Sequence, residues 1–321
     1  MNEAPVPDVS FVIAAYNARE TIGRAIDSAL AQTGVSLEVV VVDDCSTDGT
    51  AELVRYFGDA RVRLIEMDRN GGPGAARNAG IEAALGRWIA VLDSDDEVRP
   101  DRSAAMIATA GRLGAEIVVD NLEVARPGEA AVTMFSGAEL RRRPLLTLAD
   151  FIGSNVIFRS TFNFGYMKPM FLRAFLNDKG LRFDPGLRIG EDYLLLASAL
   201  ASGGRCAVEP GVGYVYHIRE GSISRVLEPR HVEAMIEADR GFIRRFALDP
   251  QARQAQRRRT RSLIEARVFL ALVEQIKQRS LAGCLRLAIA HPAALRHLRM
   301  PIEARLRRLF VSTARPAKAS F

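Results

Sequence analysis

Apolar and polar positions follow two alternating patterns along the first 121 residues. Short continuous apolar runs predict buried strands, and segments whose apolar residues lie three or four positions apart predict helices that cover them. The predicted strands occupy residues 9–16, 37–44, 62–66, 87–93 and 116–121. The predicted helices occupy residues 19–32, 50–57, 75–85 and 101–113. This alternation predicts an α/β fold with a mostly parallel, Rossmann-like sheet flanked by helices.

Polar side chains follow several of these strands at the point where each strand ends. Tyr16 and Asn17 follow the first strand, Asp43 and Asp44 end the second, and the run 93–96 (DSDD) ends the fourth. Ligands of open α/β sheets bind outside the carboxyl ends of the strands. The sequence therefore predicts a ligand site at this edge of the sheet.

The rest of the chain divides into an irregular stretch and a helical one. Residues 122–180 show no clear period, although they contain an aromatic-rich segment at 161–171. A helix is predicted at 191–202 and a strand at 212–218. From residue 229 onward apolar positions at helical spacing alternate with arginines, which predicts a helical, basic C-terminal extension.

Composition and cysteine usage narrow the class of protein. The chain has 321 residues, 48% of them hydrophobic and 26% charged, which is ordinary for a globular protein. No apolar run reaches the about 18 residues of a membrane span, and the first residues do not have the pattern of a secretory signal. Three scattered cysteines, Cys45, Cys206 and Cys284, form no CxxC pair. We therefore expect a cytoplasmic protein without a disulfide framework.

Charge is distributed unevenly along the chain. The formal net charge is +6, yet residues 225–321 hold 21 Lys and Arg against 8 Asp and Glu. A basic helical tail is compatible with packing on the rest of the protein, with attachment to an anionic membrane surface, or with a partner subunit. The tail has no interleaved aromatics or nucleic-acid motif, so we expect no nucleic-acid partner.

The strongest chemical signal is the DSDD run at 93–96. Carboxylates crowded at the end of a buried strand repel one another, and a hard cation such as Mg²⁺ or Mn²⁺ relieves that conflict. Asp43 and Asp44 can accept hydrogen bonds from a base or a ribose, or can cap the following helix together with Asp48. The glycine-rich NGGPG segment at 70–74 can approach a phosphate or can form a tight turn.

Six segments, taken in order, resemble the family 2 inverting glycosyltransferases with a GT-A fold. They read FVIAAYN, VVVDDCSTDGT, NGGPGAARNAGI, WIAVLDSDD, GLRFDPGLRIGEDYLLLASAL and YVYHIREGSIS, and the resemblance covers residues 9–225. Within the family, residues 161–226 most resemble glucosyltransferases that assemble bacterial exopolysaccharide of the succinoglycan type. The resemblance implies a UDP-sugar donor and a glycan or polyprenyl-diphosphate-linked acceptor. The resemblance to the succinoglycan-type glucosyltransferases implies that the donor is UDP-glucose.

The resemblance also implies roles for matching residues. Those at the nucleotide sugar are Tyr16, Asn17, Asp43, Asp44, Arg77, Asp93 and Ser94. Asp95, Asp93 and His217 match the metal site, with Asp95 as the direct ligand and Asp93 nearer the ribose. His217 departs from the Arg or other polar residue that the family often has. Cys45 stands where the family has Gly, which matters little where φ at that position is negative.

Asp192 matches the general base of the family, with Glu191 beside it on the acceptor side. A positioned carboxylate takes the acceptor's proton as its oxygen attacks the anomeric carbon. The metal and a cation, Arg77 or His217, then stabilise the departing UDP. In the aromatic-rich segment, Asn163 and Lys168 are expected to bind the acceptor, although core packing explains the same residues equally well.

The expected organisation is a GT-A catalytic domain at 1–228 and the helical basic region at 229–321. The catalytic domain has a nucleotide-sugar half at 1–121 and an acceptor half at 122–228. A peripheral position at the inner face of the cytoplasmic membrane would suit a lipid-linked acceptor.

Three other functions are compatible with parts of the pattern. A nucleotidyltransferase would have a basic, glycine-rich loop after the first strand, where AAYNARE stands instead. A dinucleotide-dependent dehydrogenase would need GxGxxG, which is absent. A non-catalytic sugar-nucleotide-binding or scaffolding protein of a polysaccharide assembly complex would not need Asp192.

Overall fold

One ten-stranded sheet organises the part of the chain that the structure, a computed structural model, describes: residues 5–158, 163–218 and 227–292. The strands are β1 (Val9–Ala15), β2 (Leu37–Asp43), β3 (Val62–Glu66), β4 (Trp88–Val91), β5 (Glu97–Val98), β6 (Ile117–Ala125), β7 (Val132–Thr133), β8 (Leu145–Leu146), β9 (Met170–Leu172) and β10 (Cys206–His217). The helices are α1 (Ile22–Leu30), α2 (Thr50–Arg55), α3 (Pro73–Ala83), α4 (Arg102–Leu113), α5 (Gly137–Arg141), α6 (Leu148–Ser154), α7 (Arg173–Asp178), α8 (Glu191–Ala201), α9 (Pro229–Arg245), α10 (Pro250–Lys277) and α11 (Leu281–Ala290).

The strand order is β3-β2-β1-β4-β9-β6-β10-β5, with β7 on β6 and β8 on β10. The first four strands of this order are parallel, as the alternating pattern predicts. β9, which the chain forms after the irregular stretch, runs antiparallel to both β4 and β6. The order reverses between β1 and β4, and the carboxyl ends of these two strands form the crevice in which such sheets bind ligands.

Uniform burial explains why the strands and helices in the first half of the chain could be predicted from the sequence. Every residue of β2 is buried, and α1 packs Ile22, Ala25, Ile26 and Ala29 into the core. The start of the last strand, β10, was not predicted correctly. β10 begins at Cys206, six residues before the predicted start, because register shifts between Glu209 and Tyr214 interrupt its alternation.

Helices α9 and α10 pack on the sheet-bearing part of the protein. Phe242 of α9 and Ala252 and Ala255 of α10 belong to the same apolar core as the sheet. A second cluster joins Val232 of α9 to Leu263 of α10. The predicted helical extension is therefore present, and α9 and α10 pack on the sheet-bearing part. The boundary at residue 228 stays a prediction.

The last described helix, α11, does not bury an apolar face as α9 and α10 do. α11 has no buried residue, and Leu281, Leu285 and Ile289 are 86%, 63% and 73% exposed. These three side chains are spaced four residues apart and so lie along one stripe of the helix. None of the described helices is long and apolar enough to cross a membrane.

Candidate active site

Four charged side chains close a ring at the carboxyl edge of the sheet. Arg77 donates from Nη2 to Asp93 Oδ1 (2.7 Å) and from Nη1 to Asp192 Oδ1 (3.0 Å). The Lys168 Nζ lies 2.7 Å from Asp93 Oδ2 and 2.8 Å from Asp192 Oδ2. Positive and negative groups therefore alternate around the ring, and each carboxylate oxygen in it faces one cation.

Close packing of α3 brings Arg77 to this edge. α3 lies so near the sheet that a side chain at Gly80 would overlap Val12 of β1. Arg77, one turn earlier, is 6% exposed, and its guanidinium lies 5.3 Å from the centre of the Phe183 ring. The planar guanidinium also donates from Nη1 to Glu191 Oε1 at 2.8 Å, so one cation contacts three carboxylates.

The ring shifts the pKa values of its members. Burial raises the pKa of the Asp93 carboxyl, but the charges of Lys168 and Arg77 outweigh burial and hold it below its ordinary value. Burial lowers the pKa of the Lys168 ammonium, and the charges of Asp192 and Asp93 raise it above its ordinary value. Both groups therefore stay ionised at neutral pH.

Glu191 and Asp192 form the first turn of α8. Gly190 precedes them with φ +90°, a left-handed conformation that favours glycine. Carboxylates in a first helical turn are stabilised by the helix dipole. Burial and the neighbouring charge of Asp192 nevertheless raise the pKa of Glu191, against the opposing effect of Arg77.

Asp44 organises the glycine-rich segment. Gly71 and Gly72 donate their N–H groups to Asp44 Oδ1 (2.7 Å) and Oδ2 (2.8 Å), and the Asn70 amide donates to the Asp44 carbonyl. The expectation that this backbone can approach a phosphate is not met at these two N–H groups, because a carboxylate already accepts both. Asp44 therefore holds the entry to α3 in place.

Asp43 has a different environment. Its side chain is 4% exposed, and Oδ2 accepts the N–H of Ser46 at 2.9 Å. Oδ1 is buried and has no hydrogen-bond partner among the described residues. An unpaired buried acceptor is costly, so a donor group of a ligand at this position would satisfy it.

Tyr16 and Asn17 follow β1. Tyr16 is 54% exposed and offers an open aromatic face, whereas the Asn17 amide is used within the protein. Asn17 Oδ1 accepts the N–H of Thr47 (2.8 Å), and its own N–H donates to Ser46 Oγ (2.9 Å), which joins the loops after β1 and β2.

Cys45 adopts φ +64°, in the left-handed region. The expectation that the loss of glycine matters little applied to a negative φ, and that condition is not met. Asp44, on one side, donates its N–H to the Ala15 carbonyl, and Ser46, on the other, donates to Asp43, which forces the turn between them.

The three predicted metal ligands are not brought together. The described residues contain no group of three or more His, Cys, Asp or Glu side chains that could hold a metal ion. Asp93 faces Arg77 and Lys168 instead, and the His217 Nε2 lies 2.7 Å from Glu97 Oε1. Asp95 and Ser94 are half-buried at the end of β4. One carboxylate there fits a Mg²⁺ or Mn²⁺ that takes its other oxygens from a substrate phosphate and water.

Asp96, the last residue of the DSDD run, has a structural role that its sequence did not indicate. It accepts the O–H of Tyr214 and the N–H of His217, both at 2.8 Å. Burial and the charges of Asp93 and Asp95 raise its pKa well above the ordinary value. Asp96 thus ties the end of β4 to β10.

A buried ion pair supports Lys168 from behind. Arg102 donates to both oxygens of Asp120, at 2.8 and 2.9 Å, and its Nη2 also donates to the Lys168 carbonyl at 2.6 Å. The same guanidinium lies 5.3 Å from the centre of the Tyr214 ring. No local sequence signal distinguished Arg102 from a surface arginine.

The two predicted acceptor residues do not form an outer wall. Lys168 is 7% exposed and contacts the ring. Asn163 Oδ1 accepts the N–H of Gly165 and caps a short 3₁₀ turn. Met170 and Phe171 belong to the core, which agrees with the interpretation of this segment as core packing. Residues 161 and 162 of the segment lie outside the described residues.

Sequence comparisons relate the chain to known proteins. The family described as "Glycosyl transferase family 2" matches residues 10–175. The chain is 65% identical to the succinoglycan biosynthesis protein ExoO of Rhizobium meliloti (strain 1021), over 98% of this chain and 90% of ExoO. It is 34% identical to ExoU of the same strain, over 92% of this chain and 86% of ExoU.

A shorter match has a more explicit name. It is the Escherichia coli UDP-Glc:alpha-D-GlcNAc-diphosphoundecaprenol beta-1,3-glucosyltransferase WfaP, 43% identical over 27% of this chain and 35% of WfaP.

Solved structures confirm the predicted GT-A fold. S. aureus TarS 1-349 in complex with UDP-GlcNAc superimposes with a TM-score of 0.63 at 19% identity, over 89% of this chain and 91% of that one. The mannosyltransferase PcManGT from Pyrobaculum calidifontis, in complex with GDP-Man and Mn²⁺, gives 0.57 at 21% identity, over 90% and 81%.

Proposed function

Because the chain belongs to glycosyl transferase family 2, we propose that it transfers glucose from UDP-glucose to a hydroxyl of a lipid-linked glycan during assembly of a succinoglycan-type exopolysaccharide. The observation that carries this proposal is the position of Asp192. Its carboxylate lies at the same sheet edge as Asp43 and Asp93, 3.0 Å from the Arg77 guanidinium. The 65% identity to ExoO supports the class of polysaccharide.

The donor's nucleotide is proposed to lie over the ends of β1 and β2. The buried, unpaired Oδ1 of Asp43 matches a base N–H or a ribose hydroxyl, and the exposed ring of Tyr16 can stack on the base. Arg77 and Asp93 then lie on the side of the diphosphate and ribose. Asn17 and Asp44 act indirectly, by holding the two loops that border this surface.

Asp192 is proposed to be the general base. As the acceptor oxygen forms its bond to the anomeric carbon, the bond from that carbon to the diphosphate oxygen breaks, and its electron pair leaves with UDP. The acceptor's proton moves to Asp192. A single displacement of this kind inverts the anomeric configuration. Glu191, which shares Arg77 with Asp192, orients the pair from the acceptor side.

A divalent metal, Mg²⁺ or Mn²⁺, is proposed to bind at Asp95 together with donor phosphate oxygens. When bound, it would supply positive charge to the leaving diphosphate. Asp93 stays paired with Arg77, and His217 with Glu97, so neither is proposed as a direct ligand.

The C-terminal helices are proposed to hold the enzyme at the inner face of the cytoplasmic membrane. The exposed stripe Leu281, Leu285 and Ile289 of α11 is apolar, and exposed cations, among them Lys277 and Arg279, precede it. Apolar insertion combined with basic residues is the usual way in which an interfacial helix binds anionic lipid. A lipid-linked acceptor would be presented at that surface.

The test is UDP release from purified protein supplied with a panel of UDP-sugars, with Mn²⁺ or Mg²⁺ or with EDTA. We expect turnover of UDP-glucose that EDTA abolishes and that Asp192→Asn reduces by about two to four orders of magnitude. Asp101→Asn is the matched control, since Asp101 is exposed and makes no side-chain cap hydrogen bond. Absence of both turnover and binding for every UDP-sugar would overturn the proposal. The non-catalytic alternative and the nucleotidyltransferase are not favoured by the family.

A further inference from the structure

Lys168 is a buried cation placed between the two functional halves of the candidate site. Its Nζ lies 2.7 Å from Asp93, at the end of β4 on the donor side, and 2.8 Å from Asp192, the proposed base. We propose that Lys168 is a catalytic residue that binds the donor's diphosphate, and that before the donor binds it blocks Asp192. This inference rests on the proposed function and assigns a residue role beyond it.

The backbone of Lys168 is fixed, while its side chain can turn. The Lys168 carbonyl accepts a hydrogen bond from Arg102, which is itself held by both oxygens of Asp120. Arg77, by contrast, is restrained by three carboxylates and the Phe183 ring. A lysine ammonium on a four-carbon stem can exchange partners more readily than a planar guanidinium with several fixed bonds.

Charge favours the diphosphate as the new partner. The ring contains two cations and two carboxylates, Glu191 also contacts Arg77, and Asp95 lies two residues after Asp93. Further negative charge there is unfavourable unless positive charge faces it, and a lysine that turns towards the diphosphate adds to the charge of the metal proposed at Asp95. The donor's diphosphate brings such charge to the end of β4. An acceptor hydroxyl is neutral, so it attracts the ammonium much less strongly than Asp93 and Asp192 do. Lys168 thereby takes a donor-binding role in place of the acceptor-binding role predicted from sequence, and the acceptor-binding role of Asn163 stays a prediction.

The same exchange would release the base. Both oxygens of Asp192 are occupied, Oδ1 by Arg77 and Oδ2 by Lys168. When the ammonium moves to the diphosphate, Oδ2 becomes free to accept the proton of the acceptor hydroxyl. Lys168 keeps its own proton throughout and neutralises the charge that develops on UDP as the anomeric carbon–oxygen bond breaks. The donor is accordingly expected to bind before the acceptor.

The first experiment compares the binding of UDP and UMP by titration calorimetry. Lys168→Met is expected to weaken UDP binding by about tenfold or more while changing UMP binding by less than about twofold, because only UDP offers the second phosphate. The kcat for transfer is expected to fall by about two orders of magnitude. Lys168→Arg, which keeps the charge, should recover part of the UDP affinity. Lys179→Met is the matched control at an exposed lysine.

A second measurement observes the wild-type protein and uses a variant only to assign one signal. The chain has four lysines, so selective lysine labelling gives a simple NMR spectrum in which Lys168→Arg assigns the buried ammonium. UDP should shift that signal in the wild type, and UMP should leave it nearly unchanged.

Two outcomes would overturn the inference. One is an equal loss of UDP and UMP affinity in Lys168→Met with wild-type kcat, and the other is a wild-type Lys168 signal that UDP does not move. Wild-type protein that releases UDP from a UDP-sugar in either case would leave the proposed function intact.

Discussion

The guanidinium carbon of Arg259 lies 3.4 Å from the centre of the Tyr193 ring. Tyr193 follows Glu191 and Asp192 in α8, so a cation of α10 rests against the helix that begins with the proposed base. Arg259 also pairs with Asp239 (3.2 Å) and donates to the Asn155 carbonyl (3.0 Å). The residues after 228 thus support the candidate site, although the family match ends at residue 175.

We predict that Arg259→Met lowers the free energy of unfolding by about 3 kcal/mol, because it leaves the Asp239 carboxylate buried without its cation. Urea denaturation measures the change. Arg258→Met, at the exposed neighbour, should change the stability little. A double variant that also carries Asp239→Asn should recover part of the loss, and a single variant as stable as the wild type would contradict the prediction.

Asp44→Ala is predicted to destabilise the protein by about 2 kcal/mol, since the N–H groups of Gly71 and Gly72 lose their acceptor. The glycine-rich segment should then exchange its amide hydrogens faster, which hydrogen-exchange mass spectrometry detects. Asp68→Ala is the control, because Asp68 is exposed in the same loop. Unchanged exchange at residues 70–74 in Asp44→Ala would argue against this role.

Cys45→Gly is predicted to stabilise the protein by roughly 1 kcal/mol, because glycine adopts a positive φ without the clash that Cβ causes. Cys45→Ala keeps the strain and loses the contact between the thiol and the Met67 carbonyl, so it should not be stabilising. Thermal unfolding of the two variants side by side gives the comparison. A glycine variant no more stable than the alanine variant would refute the strain.

The raised pKa of Glu191 predicts a pH dependence of stability. A carboxyl whose folded pKa lies above its unfolded value binds more protons in the folded state, so its contribution is present at low pH and is lost as pH rises through the folded pKa. Glu191→Gln should therefore gain stability relative to the wild type from about pH 4 upward. Urea titrations at several pH values in EDTA test this, with Glu52→Gln as the exposed control.

Leu285→Glu is predicted to reduce binding to anionic vesicles by about tenfold, because it places a charge in the apolar stripe of α11. Co-sedimentation with vesicles of phosphatidylglycerol and phosphatidylcholine measures the partition, and added salt should weaken it. Tyr56→Glu changes an 84% exposed residue on another helix end and serves as the control. Equal binding by the wild type and Leu285→Glu would exclude the stripe as the contact.

Local pattern was sufficient for the elements whose burial is uniform. β1, β2 and α1 bury continuous or helically spaced apolar residues, so periodicity alone identified them and the α/β class. Strand ends placed Asp43 and Asp93 at one sheet edge, and motif order added the GT-A family and the expected role of Asp192. Only the second half of β10 was predicted, and the elements within 122–180 were not, because bulges and short elements leave no sustained period.

Side-chain partners were decided only by the tertiary structure. The sequence contained Arg77, Lys168, Asp93 and Asp192, but nothing local to any of them indicated that they would close one ring of ion pairs. The pairing depends on distances between α3, β4, β9 and α8, which packing against the sheet sets. In the same way φ at Cys45 follows from loop geometry, and the partner of His217 follows from the pairing of β10 with β5, rather than from residue type. The sequence therefore determined the fold and the chemical groups available, and the tertiary structure determined which of those groups meet.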